Sequence, residues 1–417
     1  MNRAIPAIFF IALLAVFTAG SSAWASTKTK ARPPARATQR AAVEDGLAEA
    51  QLIAIYRLIG QARTREALHQ TEQLVQAHPH FLLAQLVLGD LLSAQTRPVR
   101  MLGDVPDTAA TAAAPALAEL REESQQRLRA LRERPPAGAI PSQFLELSGK
   151  NRHAIAVDTS RSRLYLFENS AAGPRLVADY YISQGKSGTD KTAEGDLRTP
   201  LGVYFISSSL NPKSLKSFYG VGALPINYPN PYDLRRGRSG GGIWLHGTPP
   251  NLYARAPKST DGCVVLANPD LAHIIQTVEV RTTPVVIAQQ LQWVSPVSAQ
   301  AERKGFEPAL QAWRNAKSSG DVSAVLPYYS SDFNSYGKPL TDWLPNLRSD
   351  MAKLKGRSIE LKELSVLQWK DNSKDSADTM VVTFGEVASG AQTGPVRRQY
   401  WLRLGGQWKI FFEGVIG

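Results

Sequence analysis

One cysteine and one histidine carry the clearest chemical signal in this sequence. Cys263 is the only cysteine of the chain, and it follows Gly262 in the run Ser259-Thr260-Asp261-Gly262-Cys263. His246, which is followed by Gly247, lies 17 residues upstream. A cysteine attacks an amide carbonyl as its thiolate, and a nearby imidazole takes the proton and lowers the thiol pKa. The pair therefore predicts covalent acyl transfer, with Cys263 as the nucleophile and His246 as the base.

The glycines beside these two residues fit the same chemistry. Gly262 lets the backbone turn sharply, so the N–H groups of Gly262 and Cys263 can face a developing oxyanion. The second ring nitrogen of His246 needs an orienting partner, and the Gly247 carbonyl is the group available next to it. The alternative is an inert buried thiol and a structural strand histidine. The glycine before the cysteine favours the catalytic interpretation.

Composition excludes several other kinds of site. The 417 residues are 43% hydrophobic and 20% charged, which is typical of a globular chain with two to four domains. A single cysteine excludes an internal disulfide framework, Fe–S clusters and cysteine-rich zinc sites. The six histidines are dispersed along the chain, so we predict no metal and no cofactor. The run Gly185-Lys186-Ser187 lacks the upstream glycine of a phosphate loop.

The net charge of +12 is spread along the chain. No segment has the dense Lys/Arg stripe with interleaved aromatic residues that nucleic-acid surfaces carry, so we predict no nucleic-acid partner. Five basic residues and no acid fall within 26–40. Residues 26–46 are therefore predicted to be a basic, solvated linker.

The first 25 residues have the pattern of a secretory signal peptide. Arg3 precedes an apolar run from Ile5 to Ala19, and Ala23-Trp24-Ala25 matches the Ala-x-Ala pattern of a signal-peptidase cleavage site. An uncleaved membrane anchor is the alternative, but the apolar run is shorter than the roughly 20 residues that a span prefers. We predict cleavage after Ala25 and a periplasmic location.

Three modules are predicted after the linker. Residues 47–134 show helical periodicity and resemble a tetratricopeptide repeat weakly, through Gly60, Ala67-Leu68, His78-Pro79 and Leu88-Gly89. A small helical bundle is the alternative. Within this region an Ala/Pro/Thr stretch at 105–116 is predicted as low-complexity chain before a helix at 117–134.

Residues 148–290 change to a period near two and predict a mostly-β domain. A hairpin is predicted from Ala154–Val157 and Leu164–Phe167, and a helix begins at Asn268, which we expect to act as its N-cap. Both Cys263 and His246 lie inside this domain. The sequence therefore predicts that removal of the residues after 300 leaves the chemistry intact.

Residues 301–417 predict helices followed by a long antiparallel meander, which is an α+β cone. The order of elements resembles the SnoaL-like, nuclear-transport-factor-like fold. Because the segment shows no convergent set of histidines or carboxylates, we expect a binding or accessory module. This module or the helical region is the expected contact for partner proteins.

The central domain resembles the YkuD-type L,D-transpeptidases. The family's His-Gly pair and Ser/Thr-x-Gly-Cys loop match His246-Gly247 and Thr260–Cys263, and its Thr-Pro-x-Gly strand matches Thr199–Gly202. The resemblance implies that Cys263 forms a thioester with the third residue of a peptidoglycan stem and forms 3→3 cross-links. An L,D-peptidase that hydrolyses stems is the first alternative, and a non-catalytic cell-wall scaffold is the second.

The sequence departs from the family at one informative position. The family usually has an arginine two residues after the cysteine, where this chain has Val265. Another cation would then contact the substrate carboxylate, and the candidates are Arg235, Arg236, Arg238, Arg255 and Lys258. Tyr228 matches the position of an oxyanion-assisting tyrosine in some members. The predicted substrate-binding residues are Tyr228, Thr260, Arg255 and Lys258. In its missing arginine and its Asn-Tyr-Pro-Asn segment, the sequence resembles a branch of the family that includes enzymes hydrolysing lipoprotein–peptidoglycan links.

Overall fold

A computed structural model describes residues 44–104, 107–370 and 377–416. The predicted signal peptide at 1–25 and nearly all of the predicted linker at 26–46 lie outside these ranges. Among the helices within them, none is both long enough and apolar enough to cross a bilayer.

The N-terminal region is helical, as its periodicity predicts. A short strand precedes four helices: β1 (Glu44–Asp45), α1 (Leu47–Gly60), α2 (Thr64–Ala77), α3 (Leu82–Ser93) and α4 (Asp107–Arg132). The predicted start of the last helix at residue 117 is wrong, because α4 begins at Asp107, within the Ala/Pro/Thr stretch at 105–116, and contains Pro115. Alanine has the highest helix propensity, and the alanine-rich run extends the helix by ten residues.

The central domain is mostly β. Its elements are β2 (Ile140–Pro141), β3 (Phe144–Glu146), β4 (His153–Asp158), β5 (Arg163–Ser170), β6 (Gly173–Tyr181), β7 (Gln184–Gly185), β8 (Gly202–Phe205), β9 (Ala223–Pro225), α5 (Pro231–Arg235), β10 (Trp244–His246), β11 (Lys258–Thr260), β12 (Val264–Val265), α6 (Asn268–Thr277), β13 (Pro284–Ala288) and β14 (Trp293–Val294).

Two sheets organise this domain. Six strands are ordered β1-β6-β5-β4-β13-β8, and a second sheet is ordered β12-β10-β9. Side chains from both sheets and from α6 form one apolar core, which includes Ile155, Leu245, Val264 and Leu271. The small sheet therefore holds the histidine strand and the cysteine strand on a rigid support.

The C-terminal domain has the predicted cone. Its elements are α7 (Pro296–Ser318), α8 (Val322–Val325), β15 (Asn334–Ser335), β16 (Lys338–Pro339), α9 (Leu340–Leu354), β17 (Ile359–Trp369), β18 (Thr379–Ala388), β19 (Val396–Leu404) and β20 (Gln407–Val415). The helix α9 was not predicted, although one of its faces is buried at helical spacing by Trp343, Leu347, Met351 and Leu354.

The cone is completed by a strand from outside the C-terminal segment. Its sheet is ordered β20-β19-β18-β17-β3, so β3, an early strand of the central domain, pairs with β17. One apolar cluster contains Phe144 of β3, Phe167 of the central domain and Trp401 of the cone. The central domain and the cone therefore share a core.

Candidate active site

His246 and Cys263 lie on adjacent parallel strands. In the pairing of β10 with β12, Leu245 lies opposite Val264 and His246 lies opposite Val265. Side chains alternate between the faces of a strand, so Cys263, one residue before β12, shares its face with Val265 and His246. The sheet thus places the thiol and the imidazole on one face.

The turn before the cysteine requires glycine. Gly262 has φ +128°, and a Cβ atom there would lie 2.7 Å from the Arg198 carbonyl oxygen. The Thr199 hydroxyl donates to the Gly262 carbonyl at 2.9 Å. Thr199 belongs to the Thr-Pro-x-Gly motif, and this hydrogen bond gives that motif a positioning role that the sequence did not reveal.

The thiol of Cys263 is held in its neutral form. Burial raises its pKa, while a backbone hydrogen bond from Trp244 acts in the opposite direction. The sulfur donates to the Gly242 carbonyl at 3.5 Å. This corrects the expectation of a depressed thiol pKa, because desolvation outweighs the stabilising groups in this arrangement. Gly242, which lies just before the histidine strand, supplies this acceptor.

His246 is oriented as predicted. Its Nδ1 lies 2.7 Å from the Gly247 carbonyl oxygen, an acceptor, so Nδ1 carries the proton and Nε2 keeps its lone pair. The side chain is 2% exposed, and burial lowers its pKa to about 4. The ring of Tyr219 meets the imidazole edge-on at 5.0 Å, and Phe218 lies 5.7 Å away. A neutral imidazole walled by aromatic rings is competent to accept a proton.

Thr260 organises the turn from inside. Its hydroxyl donates to the Cys263 carbonyl at 2.8 Å and accepts the Gly262 N–H at 3.1 Å. Two expectations are corrected: the Gly262 N–H is occupied and cannot bind an oxyanion, and the Thr260 hydroxyl is buried and not offered to substrate. Within the described residues the Cys263 N–H has no acceptor, so it is the remaining donor for a developing oxyanion.

Tyr228 is packed into the core of the central domain. Its ring meets Tyr204 at 6.1 Å, its hydroxyl donates to the Ser239 carbonyl at 3.1 Å, and burial raises its pKa to about 12. In the chain as described, no hydrogen bond or ring contact joins it to Cys263 or His246. The expected oxyanion role therefore has no contact to support it here.

Asn268 does not cap α6, which corrects the prediction. The N-cap position is Ala267, and Asn268 is already helical. Its amide group donates to the Thr248 carbonyl at 2.9 Å and accepts the Thr248 N–H at 3.2 Å. A Cβ atom on Gly247 would collide with this amide, so Gly247 is needed for close approach. The amide therefore holds the chain that leaves the histidine.

The five candidate cations differ in their surroundings. Arg235 pairs with Asp332, and Arg238 pairs with Asp233 and Asp190. The Arg236 guanidinium contacts the Tyr232 hydroxyl at 3.2 Å.

Arg255 and Lys258 have no carboxylate partner among the described residues. Lys258 is exposed on β11. The Arg255 guanidinium lies 5.3 Å from the Phe218 ring centre, and its charge acts on the pKa values of both His246 and Cys263. Of the five cations, Arg255 is the one that the structure brings to the candidate site.

The chain between the histidine and the nucleophile turn, residues 248–258, is braced by neighbouring elements. Tyr253 stacks on Phe81 of the helical region at 4.4 Å, and its N–H donates to the His80 carbonyl at 3.1 Å. The Tyr181 hydroxyl donates to the Arg255 carbonyl at 2.9 Å. These long-range contacts had no signal in the local sequence.

A buried ionic network also joins the helical region to the main sheet. Glu49 of α1 pairs with Arg127 of α4 at 2.9 Å and with Arg163 of β5 at 2.8 Å. The Arg127 guanidinium lies 4.0 Å from the centre of the Tyr181 ring. The helices are therefore connected to the backbone that carries Arg255.

Comparisons with known proteins identify families that the central and C-terminal domains match. Residues 152–287 match the family model of the L,D-transpeptidase catalytic domain (YkuD), and residues 306–414 match that of the Cds6 C-terminal NTF2-like domain. The resemblances of the central and C-terminal domains, and the multidomain fold class, are confirmed. No curated protein matched the chain.

Two solved structures share most of the architecture. Bd1075 from Bdellovibrio bacteriovorus is 25% identical, with a TM-score of 0.55, and the match covers 66% of this chain and 98% of that one. The helical cell shape determining protein Pgp2 from Campylobacter jejuni is 21% identical, with a TM-score of 0.52, and the match covers 66% of this chain and 95% of that one.

Proposed function

We propose that the protein is an exported peptidoglycan L,D-transpeptidase that acts through a Cys263 thioester. The observation that carries the proposal is the pair of adjacent strands with Cys263 and His246 on one face, where Nδ1 of the imidazole is tied to Gly247. The match of residues 152–287 to the L,D-transpeptidase catalytic domain supports a cell-wall substrate.

Acylation begins from neutral partners. Nε2 of His246 takes the thiol proton as Sγ of Cys263 attacks the carbonyl carbon of the third stem residue, a diamino acid. The Cys263 N–H donates to the oxyanion of the tetrahedral intermediate. The C–N bond to the fourth residue, D-alanine, then breaks, and the imidazolium protonates the leaving amine. A thioester remains on Cys263.

Deacylation reverses these roles with a new amine. The side-chain amine of another stem loses a proton to Nε2 of His246 and attacks the thioester carbonyl. The C–S bond breaks, and the departing thiolate recovers its proton from the imidazolium. The product is a 3→3 cross-link, and the sequence of steps needs no oxidant and no cofactor.

Hydrolysis of the thioester is the second candidate. The Cys263 side chain remains partly exposed to solvent, and Val265 supplies no cation beside it. Water can then replace the acceptor amine and release a tripeptide stem. A hydrolase that cleaves lipoprotein–peptidoglycan links would use the same acyl-enzyme.

Mass spectrometry of sacculi incubated with the purified mature protein tests both candidates. New 3→3 dimers support transfer, and released D-alanine with tripeptide stems and no dimers supports hydrolysis. Cys263→Ala should abolish either product, and His246→Gln should lower the rate by roughly 10²–10⁴-fold. Products that persist with Cys263→Ala would exclude the thioester, and a wild-type protein that binds sacculi without changing them would support a scaffold.

A further inference from the structure

A small cavity lies between the helical region and the segment that carries Arg255. Its volume is about 200 Å³. One wall comes from the start of α3 and from α4, and the other comes from residues 252–259. Arg255 lines this cavity and also acts on the pKa values of His246 and Cys263, so the cavity adjoins the thiol–imidazole site. Because small-molecule sites usually measure about 300–1,000 Å³, this space suits one residue of a larger ligand.

Glu123 of α4 lines the cavity and has an unused acceptor atom. The residue is 3% exposed, and its Oε1 accepts hydrogen bonds from both Nε and Nη2 of Arg127, at 2.9 and 2.8 Å. Among the described residues, no donor reaches Oε2. Buried carboxylate oxygens are normally hydrogen-bonded, so this one requires a donor from outside the described chain.

The ionic network behind Glu123 neutralises it only in part. Arg127 is shared with Glu49. Arg163, the second arginine of the network, pairs with Glu49 and Asp179. Two guanidinium groups thus serve three carboxylates. Burial raises the pKa of Glu123, and the charge of Arg127 offsets this only partly. A cation bound in the cavity would compensate the remaining negative charge.

Glu119 adds a second acidic group to the same wall. It lies one helical turn before Glu123, lines the cavity and is exposed, and within the described chain it has no ion-pair partner. Two acids at this spacing share one face of a helix and destabilise it by repulsion. The α4 wall therefore favours a positively charged group such as an ammonium.

The opposite wall carries the complementary charge. Nη2 of Arg255 donates to the Ser259 carbonyl at 2.7 Å, and none of the described carboxylates forms an ion pair with this guanidinium. The surface between the two charged walls is largely apolar, with Phe81, Leu82, Leu120 and Leu252 among its side chains. A methylene chain that ends in one ammonium and one carboxylate group fits this combination.

We propose that this cavity binds the zwitterionic end of the diamino acid in a peptidoglycan stem, with Glu123 and Glu119 as contacts of its ammonium group and Arg255 as the contact of its carboxylate. The inference rests on the proposed acyl transfer, which brings a diamino acid to Cys263. It gives a role in substrate selection to α4, which lies outside the matched catalytic domain. A free amino acid carries the same two charges, so the probes include one.

Isothermal titration with the full-length mature Cys263→Ala protein tests the subsite without turnover. The main probe is L-alanyl-γ-D-glutamyl-meso-diaminopimelate. One analogue is N-acetylated on the side-chain amine, and another has L-lysine as its third residue and so lacks the side-chain carboxylate. The parent tripeptide should bind, and each analogue should bind roughly tenfold more weakly, because one charged contact is lost. Free meso-diaminopimelate should bind more weakly than the tripeptide, and equal binding would overturn the assignment to the stem.

Variants of α4 identify the ammonium contact. Glu123→Gln keeps an acceptor for Arg127, so it should raise the Kd of the tripeptide roughly tenfold and remove the difference between the tripeptide and its acetylated form. Glu119→Gln should have a smaller effect, about threefold, because solvent screens an exposed charge. Glu122→Gln, an acid on the same helix that does not line the cavity, should leave the Kd within about twofold.

Two results would overturn the proposal. One is equal affinity for the tripeptide and its acetylated form, a comparison that needs no α4 variant and therefore holds even if Glu123→Gln is unfolded. The other is a folded Glu123→Gln protein that still distinguishes the two probes as before.

Failure of the subsite is distinguishable from failure of the acyl transfer. A protein that binds the tripeptide through Glu123 but changes no sacculi keeps the subsite and loses the catalytic function. A wild-type protein that processes diaminopimelate tetrapeptides and their acetylated forms with equal kcat/KM keeps the function and loses the subsite.

Discussion

The Thr199 hydroxyl connects the Thr-Pro-x-Gly segment to the nucleophile turn through its 2.9 Å hydrogen bond to the Gly262 carbonyl. The same oxygen accepts the Gly185 N–H at 2.9 Å. Because Gly262 directly precedes the cysteine, this hydroxyl fixes the backbone that aims the sulfur. The two motifs, 63 residues apart in sequence, therefore act as one structural unit.

Thr199→Val should reduce turnover more than it reduces folding. The substitution keeps the shape of the side chain and leaves the buried Gly262 carbonyl and Gly185 N–H unpaired, which costs about 1–3 kcal/mol in the free energy of unfolding. A shift of the turn by about 1 Å can lower kcat by roughly 100-fold. Steady-state kinetics on a stem tetrapeptide and urea unfolding measure both effects. Thr199→Ser, which keeps the hydroxyl, should restore most of the rate, and an inactive serine variant would contradict this role.

The acid limb of the pH profile should lie unusually low. Burial lowers the pKa of His246 to about 4, so the imidazole stays neutral and able to accept a proton well below the ordinary value of about 6.5. We expect kcat/KM for acylation to fall only as the pH approaches 4. A stopped-flow pH series on the wild-type protein measures the limb, and a midpoint near 6.5 would mean that His246 is not the titrating base.

The same depressed pKa has a consequence for stability. Between about pH 6.5 and 4 the unfolded chain binds a proton at His246 that the folded chain does not, so the free energy of unfolding should decrease as the pH falls through this window. His246→Gln should lose this contribution to the pH dependence. Urea unfolding at pH 7 and pH 4.5 measures the change in the free energy of unfolding for each protein. An equal change in the wild type and in His246→Gln would refute the prediction.

Cys263 should react slowly with alkylating agents in the resting protein. Burial raises its pKa, and its hydrogen bond goes to the Gly242 carbonyl, so little thiolate exists at pH 7. The rate of iodoacetamide labelling should therefore still be rising above pH 8.5, unlike that of a thiolate–imidazolium pair. Labelling that reaches its plateau below pH 7 would show a preformed ion pair. The denatured chain provides the reference for an ordinary thiol.

Local sequence was sufficient for some features and insufficient for others. Two local signals predicted the L,D-transpeptidase-like central domain correctly. They are the periodicity of the strands and the spacing of His246, Gly262 and Cys263. The hydroxyl of Thr260 and the amide of Asn268 each had several possible acceptors and donors, and tertiary contacts decided between them. A local pattern predicts that such residues cap the adjacent helix or face a ligand from their own loop. In the folded chain, Thr260 instead binds the nucleophile turn and Asn268 binds Thr248.

The pairing of β3 with the sheet of the cone also had no signal in the local sequence. Residues 144–146 are too short to show a period, and their partner β17 lies more than 200 residues away. The expectation that the cone is separable followed from treating sequence blocks as domains. The shared cluster around Phe144, Phe167 and Trp401 argues against it.

Removal of residues 296–417 should therefore destabilise the central domain. The deletion removes β17, which pairs with β3, and it exposes apolar side chains such as Phe144 and Phe167 to water. We expect an aggregated product or one without a cooperative transition, measured by gel filtration and circular dichroism. A soluble truncation that unfolds cooperatively would show that the domains are independent after all.

The last prediction concerns the cation that replaces the family's arginine. The position two residues after the cysteine is closed: Val265 is 2% exposed and lies opposite His246 in the strand pair. Arg255 approaches the site from residues 248–258. Burial lowers its pKa, the charge of Asp261 acts in the opposite direction, and no carboxylate of the described residues forms an ion pair with it. We therefore expect Arg255 to contact the substrate carboxylate.

Arg255→Gln should raise KM by about tenfold or more, because a charge-assisted contact contributes about 1.5–3 kcal/mol. We expect a smaller decrease in kcat as well, because the Arg255 charge also acts to lower the pKa of Cys263 and its loss disfavours the reactive thiolate. Arg255→Lys separates the two contributions: it keeps the charge, so kcat should recover, while KM stays raised because the fork is lost. Lys258→Gln, three residues away and exposed, should leave both parameters within twofold. If Lys258→Gln raises KM and Arg255→Gln does not, the carboxylate is bound by β11 and not by residues 248–258. If neither substitution raises KM, the substrate lacks the stem carboxylate, and hydrolysis of lipoprotein–peptidoglycan links becomes the better hypothesis.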